Sequence, residues 1–319
     1  MTPALTPPLL LDGNTLVLDS TALENFKLCP RKFFYEQMQR RIRAGAKPAL
    51  DFGKALHAAL EVRYKQLGNR AAIGTSVPAE MHTAIDAAYA GIETPLDEWR
   101  TLARAHETVD LYNDAYAHEP FDVLGVEVPF AVPVGTVGAY RVVWTGRIDL
   151  LVGWDAQVLV MDTKTMSSWG SGKSGEYDNS AQFKGYAWAM QEMHRLHGEP
   201  FPAQVHGFCL NAIVLRKPGV TERTKLPRTE FHRTRCWYSQ ERLEEWRIDM
   251  LAWVATLLDY AQRGYMPMNT KHCASFYGGN CPMLDVCTSP PAQRALVLAS
   301  DLYTDNTWNT LERDVEVVA

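Results

Sequence analysis

The sequence predicts an α/β fold, a small mixed sheet flanked by helices, and three observations carry that expectation. Val-rich segments with alternating polarity are concentrated at residues 121–163 and again at 205–238. Segments with apolar residues at helical spacing lie before, between and after them. Apolar residues make up 46% and charged residues 22% of the 319, an ordinary globular balance. The order of helices, strand cluster, helix, strands and helix is that of helices layered on a sheet, with the terminal segments outside it.

Leu9 to Leu18 reads as two short extended pieces around the turn residues Asp12-Gly13-Asn14. Thr21-Ala22-Leu23-Glu24 is a capping-box pattern, so a helix is expected to start there. Pro30 interrupts it and suits the first position of a second helix. Phe52–Leu67 and Pro78–Ala90 carry apolar residues at helical spacing, and Leu96–His118 is a longer, more polar helical stretch. Phe121–Phe130, Tyr140–Val152 and Gln157–Thr163 read as strands, the last two joined by a turn at Gly153-Trp154-Asp155-Ala156. The Gly- and Ser-rich run Ser167–Asn179 is expected as a loop and Ser180–His197 as a helix. Val205–Leu215 and Phe231–Tyr238 read as strands with a basic connection between them. In Gln240–Arg263 the residues Leu243, Trp246, Met250, Trp253, Leu257 and Leu258 form one core-facing stripe. These segments divide one domain over residues 1–319 into a helical flank at 20–118, a core at 120–240, a C-terminal helix with a cysteine segment at 240–290, and a tail at 291–319.

No apolar run approaches the roughly 20 residues that span a bilayer. Met1 to Leu10 lacks a basic segment followed by an apolar core, so a secretory signal is not expected and the expected compartment is the cytoplasm. The net charge of −5 argues against a generic basic coat for DNA, yet it is compatible with a site rich in carboxylates. Six cysteines in a reducing compartment are not expected to pair as disulfides. Cys209 lies in an apolar segment and reads as core, and Cys236 reads as structural.

The most informative segment is Gly146-Arg147-Ile148-Asp149-Leu150-Leu151-Val152 followed by Val158-Leu159-Val160-Met161-Asp162-Thr163-Lys164. Residues two apart on a strand face the same side, so Asp162 and Lys164 point together. With a hairpin turn between the strands, Asp149 falls opposite Asp162, and such neighbours have Cβ atoms about 4.5–5.5 Å apart. Two carboxylates that close repel, and one takes up a proton unless a cation sits between them. Oxygen ligands of this kind suit Mg²⁺ or Mn²⁺. A lone Asp-x-Lys would read as a solvated strand end. The apolar strand before it, and a second aspartate one hairpin earlier, favour a metal site.

Gly146-x-x-Asp149 followed by Asp162-x-Lys164 resembles the core of the PD-(D/E)xK nuclease superfamily. His57, in Phe52-Gly53-Lys54-Ala55-Leu56-His57, resembles the upstream helical histidine of RecB-type members. Gln182-x-x-x-Tyr186 resembles their helical Gln-x-x-x-Tyr motif, and four-residue spacing puts both on one helical face. Each of these is an ordinary helix residue when taken alone, and the joint case rests on their order. The resemblance implies a restriction-endonuclease-like core in which His57, Asp149, Asp162 and the carbonyl of Thr163 hold one or two Mg²⁺ or Mn²⁺ ions. Lys164 would act on the reacting phosphate, and Gln182 and Tyr186 would position the strand. Glu127, in the strand before the first aspartate, is a weaker candidate. The implied activity is metal-dependent cleavage of DNA, as an exonuclease on single strands or ends, in recombination, repair or phage- or CRISPR-related processing with protein partners.

Cys29 precedes Pro30, and Cys273-x7-Cys281-Pro282-x4-Cys287 follows near the C-terminus. Four cysteines can complete a sulfur site for zinc or for a cubane cluster, and no tight Cys-x2-Cys zinc knuckle is present. This one-plus-three layout resembles the 4Fe–4S clasp of iron–sulfur RecB-family nucleases, among them CRISPR-associated adaptation nucleases and AddB-type subunits. The spacing of seven between Cys273 and Cys281 is longer than the family's usual one. The resemblance implies that Cys29, Cys273, Cys281 and Cys287 bind the cluster, which would join the helical N- and C-terminal flanks. The rival readings are a DNA-binding subunit that does not cut and a zinc-stapled module.

Two basic groups are candidate phosphate contacts, a solvated loop being the plainer reading of the first. One comprises Arg216, Lys217, Arg223, Lys225, Arg228, Arg233 and Arg235, the other Arg31, Lys32, Arg40, Arg41 and Arg43. Trp169 is a candidate to stack on a base, or simply a boundary tryptophan.

Overall fold

The structure, a computed structural model, describes residues 5, 9–68, 77–95, 98–170, 172–275 and 279–309. β1 (Leu10–Leu11) and β2 (Thr15–Leu18) pair antiparallel across the expected turn. α1 (Ser20–Leu28) is capped by Asp19, whose carboxylate accepts from the Ala22 N–H at 2.8 Å. The capping box at Thr21 is therefore superseded, because an aspartate earlier in the chain satisfies the open amide. Pro30 opens α2 (Pro30–Phe33), which runs into a π-helical turn over Phe34–Met38. β3 (Arg41–Arg43) follows, and then three longer helices, α3 (Pro48–Gly68), α4 (Val77–Tyr89) and α5 (Leu102–Ala115). α5 begins after Thr101, whose hydroxyl caps the Arg104 N–H, and the expected start at Leu96 lies outside the described residues.

Three long strands come next: β4 (Asp122–Val137), β5 (Tyr140–Trp154) and β6 (Gln157–Met166). Asp155 and Ala156 form the β5–β6 turn, both with φ in the left-handed region at 53° and 60°, as a type I′ hairpin needs. The segment expected as a loop contains a short helix, α6 (Lys173–Asp178). α7 (Ala181–His197) ends at Gly198 with φ 72°, a conformation that glycine supplies without strain. β7 (Gly207–Leu215) follows, and an added Cβ at Gly207 would meet the Cys236 carbonyl at 2.0 Å. The basic connection folds as α8 (Pro218–Thr224) with its proline in the first turn, and then come β8 (Thr229–Trp237) and α9 (Gln240–Gln262). The C-terminal segment holds β9 (Ala274–Ser275), β10 (Gly279–Asn280), α10 (Leu284–Thr288), α11 (Arg294–Leu298) and β11 (Tyr303–Asp305). Among the described residues no helix is long and apolar enough to cross a membrane.

The chain forms two compact units. One comprises Ala46–Val128 and Arg147–Leu243, the other Met1–Gly45, Pro129–Gly146 and Glu244–Ala319. In the first unit β5 and β6 pair antiparallel, β6 and β7 parallel, and β7 and β8 antiparallel. The parallel pair needs a crossover, and α7 supplies it. α3, α4 and α5 bury Phe52, Leu56, Leu60, Met81, Ile85 and Val109 against Leu150, Val152, Leu159, Met161 and Ile213 of the sheet. α7 covers the sheet with Phe183, whose ring lies 4.3 Å from that of Phe208. This is the expected mixed sheet flanked by helices.

In the second unit β2 runs parallel to the start of β5, with Leu16 beside Val142 and Leu18 beside Trp144. The α9 stripe is buried at Trp246, Met250 and Leu257, and the Trp246 ring lies 5.4 Å from that of Trp144. Trp253 departs from the expectation of a core residue, since it is 39% exposed and meets Phe26 edge-on at 6.4 Å.

Candidate active site and cysteine cavity

The β5–β6 register ends with Leu150 beside Met161, and Asp149 and Asp162 are the next residues on the two strands. α3 brings His57 to this end of the hairpin, where its Nδ1 lies 3.2 Å from Asp149 Oδ2. The Thr163 N–H donates to the same oxygen at 2.9 Å. Lys164 Nζ lies 2.7 Å from Asp162 Oδ2, and Gln182 Nε2 reaches Asp162 Oδ1 at 3.4 Å and the Tyr186 hydroxyl at 2.9 Å. The seven residues singled out from the sequence, His57, Asp149, Asp162, Thr163, Lys164, Gln182 and Tyr186, thus lie in one cluster inside one unit.

The two carboxyls are driven apart. Burial works to raise the Asp149 pKa, but His57 and the Thr163 amide outweigh it and hold the group below the usual range. Burial pushes Asp162 up to about 6, aided by the Asp149 charge and opposed by Lys164. Burial works to lower His57, yet the hydrogen bond and charge of Asp149 lift it to about 9. Lys164 loses solvation as well, and Asp162 more than compensates, so its ammonium is held above its ordinary range. Burial pushes the Tyr186 hydroxyl up to about 12, with the Asp162 charge adding to it.

Glu127 joins this electrostatic group. Burial and then the charge of Asp149 push it up to about 7, against the guanidinium of Arg147, which lies 2.6 Å away. Its φ is 51°, in the left-handed region, within β4. A non-glycine residue held there costs on the order of 1–3 kcal/mol, and such kinks in a strand serve to re-aim side chains near sites.

Among the described residues no three His, Cys, Asp or Glu side chains already form a coordination group. The donors nevertheless fit a hard divalent cation. Asp162 is buried with Lys164 as the ion-pair partner of its Oδ2, and Asp149 contributes a second carboxylate to the same place.

The other unit contains the four expected cysteines. Cys29, Cys273, Cys281 and Cys287 line a single cavity of about 90 Å³ together with Lys32, Asn269 and His272. The Asn269 N–H points at Cys29 Sγ at 3.4 Å, and the Cys281 N–H donates to the Cys273 carbonyl at 2.9 Å. Burial raises the Cys281 thiol and pushes Cys287 up to about 11, the latter against the charge of Arg31. Four sulfur donors around one cavity fit a soft metal or cluster, which would take the thiolates. Cys209 is buried in β7 and Cys236 lies in β8, both in the unit without the cavity.

Much of the expected basic surface is committed elsewhere. Arg216 is buried, donating to the Pro227 carbonyl and to Glu230, and Arg233 is half-buried and paired with Glu119. Arg235 pairs with Asp155 and lies over Trp154. Lys217, Arg223, Lys225 and Arg228 remain exposed on and around α8. In the other group Arg31 donates to the Met266 carbonyl, Arg40 to that of Trp308 and Arg41 to that of Leu298, while Lys32 lies near Glu36 and Arg43 near Asp285. A run of basic letters does not reveal such partners, because most of them lie far away in sequence. Trp169 stacks on His232 at 4.7 Å. Asn211, in an apolar strand, escaped the sequence reading although it touches Thr163.

A family model described as the PD-(D/E)XK nuclease superfamily matches residues 20–288. No curated protein matches the chain. Among solved structures, a protein of Eubacterium rectale described as a candidate exonuclease is similar, with 12% identity and a TM-score of 0.46 over 86% of this chain and 94% of that one. LHK-Exo in complex with dAMP is similar with 13% identity and a TM-score of 0.24 over 67% of this chain and 93% of that one. Both scores are low, and the assignment rests on the family model, which spans most of the sequence, together with the order of Asp149, Asp162 and Lys164 on the β5–β6 hairpin. The chain belongs to the PD-(D/E)XK nuclease superfamily.

Proposed function

We propose that this protein is a metal-dependent deoxyribonuclease of the RecB-like type, an exonuclease acting on single-stranded DNA or DNA ends. The observation that carries the proposal is the meeting of Asp149, Asp162, Lys164 and His57 from β5, β6 and α3. Asp149, Asp162, His57 and the Thr163 carbonyl would hold Mg²⁺ or Mn²⁺, which when bound supplies Lewis acidity toward a phosphodiester. In the hydrolysis a water oxygen joins phosphorus, the P–O ester bond breaks, and the leaving alkoxide takes a proton. Lys164, kept cationic beside Asp162, orients the water and stabilises the charge that builds on the phosphate. Gln182 and Tyr186, one turn apart on α7, position the scissile strand beside Asp162.

A 4Fe–4S cluster held by Cys29, Cys273, Cys281 and Cys287 belongs to the same reading. Its support is the one-plus-three cysteine pattern and the shared cavity. The setting is recombination, repair or phage- or CRISPR-related DNA processing in the cytoplasm, with protein partners. The test is cleavage of end-labelled single- and double-stranded DNA with Mn²⁺ or Mg²⁺, with Asp162→Ala as control. Product shortening from the ends that disappears in the variant supports the reading. Binding without cleavage by the wild-type protein would overturn it in favour of a DNA-binding subunit.

A further inference from the structure

Thr163 stands between the candidate ligand Asp162 and Lys164, and it is held from two sides. Its backbone N–H donates to Asp149 Oδ2 at 2.9 Å, and its hydroxyl accepts from Asn211 Nδ2 at 3.0 Å. The β5–β6 register runs from Trp154–Gln157 to Leu150–Met161, two residues short of Thr163. On its other edge β6 continues beside β7, with Thr163 paired to Asn211, and β7 beside β8, with Asn211 paired to Arg233. The side chains of this row are joined in series. Arg233 Nε donates to Asn211 Oδ1 at 3.4 Å, and its guanidinium donates to Tyr64 at 3.1 Å, to Tyr112 at 3.0 Å and to Glu119 at 3.0 Å.

The row returns to the site through a helix. Tyr64 lies on α3, two turns after His57, and His57 is the partner of Asp149. Thr163, Asn211, Arg233, Tyr64, His57 and Asp149 therefore form a circuit within one unit, linked by side-chain contacts except between Tyr64 and His57, where the backbone of α3 joins them. Asn211 is fully buried in Gly207–Leu215, a strand whose other side chains carry no amide or charge. A buried polar row stabilises less than an apolar one of the same shape, and it rigidifies its neighbours when every member is satisfied.

The geometry points to Asn211 and Arg233 as positioning residues, a cross-sheet brace that fixes Thr163, and through it Asp149, against His57 on α3. This role rests on the metal-site reading above, because it acts on the residues assigned there to the ion. Outer-shell partners of this kind typically alter metal affinity about 10–100-fold.

The experiment is Mn²⁺ titration by calorimetry, with thermal melting alongside, of the wild-type chain, Asn211→Leu, Thr163→Val and the double variant. Thr163→Val keeps the backbone and removes only the hydroxyl. Each single variant is expected to bind Mn²⁺ about tenfold more weakly. The double variant is expected to bind no more weakly than the worse single one, since both break the same link. Met193→Ala, elsewhere in the same unit, should lower the melting temperature without moving the Mn²⁺ affinity. Wild-type affinity in Thr163→Val, or losses that add in the double variant, would overturn the brace. If Asn211→Leu does not fold, Thr163→Val alone decides. A wild-type chain that neither binds Mn²⁺ nor cleaves DNA would instead overturn the metal-site reading, and the brace with it.

Discussion

At the scale of single residues, the buried carboxylate of Asp162 is the sharpest feature of the site, with Lys164 Nζ 2.7 Å from its Oδ2. Asp162→Ala should abolish cleavage, and Lys164→Ala should lower kcat by on the order of 10²–10³-fold, with circular dichroism unchanged. Wild-type rates in either variant would remove these residues from the chemistry. His57 makes a second prediction about the metal-free protein. Its folded pKa of about 9 lies above the ordinary 6.5, so its pairing with Asp149 adds stability that is complete below pH 6.5 and lost as pH rises to about 9. The melting temperature in chelator should therefore fall across that window, and His57→Ala should flatten the fall. Identical slopes in the two proteins would mean that the pair does not contribute.

Elements set what the residues can do. α8 presents Arg223, with Lys225 and Arg228 just beyond it, while Arg216 and Arg233 turn inward to Glu230 and Glu119. Replacing Arg223, Lys225 and Arg228 with Ser should weaken single-stranded DNA binding and reduce the slope of log affinity against log salt by about 0.7 per lost phosphate contact. A slope equal to wild type, measured by fluorescence anisotropy, would show that α8 does not meet DNA. The β7–β8 pairing depends on Gly207, where a Cβ would stand 2.0 Å from the Cys236 carbonyl. Gly207→Ala should destabilise by about 1–3 kcal/mol in urea unfolding, because the backbone must shift to admit the methyl group.

Across the whole molecule, chemistry and cysteines fall in different units: the carboxylates and Lys164 in one, Cys29, Cys273, Cys281 and Cys287 in the other. Protein purified without oxygen should be brown with about four irons per chain. Substituting any one of those four cysteines with Ser should remove the colour, whereas Cys209→Ser and Cys236→Ser should keep it. Colourless protein with stoichiometric zinc would refute the iron–sulfur reading and leave the nuclease reading standing. Colour that survives Cys29→Ser would confine the ligands to the C-terminal segment.

The hairpin that carries Asp149, Asp162 and Lys164 was legible in the sequence because strand alternation and a two-residue turn are local properties, and a two-residue period fixes which side chains face together. α7 and α9 were legible for the same reason, since their periodicity lies within the segment itself. α6 and α8 were not, as six or seven residues are too few to display a helical period. The sequence by itself determined the mixed sheet with its flanking helices and the order of the acidic residues on it. Only the tertiary structure decided that Glu127 pairs with Arg147, that Arg233 pairs with Glu119, and that Asn211 donates to the Thr163 hydroxyl. These facts depend on contacts between residues far apart in the chain, and the charge or burial of such a side chain is set by its partners in space, which no local pattern records.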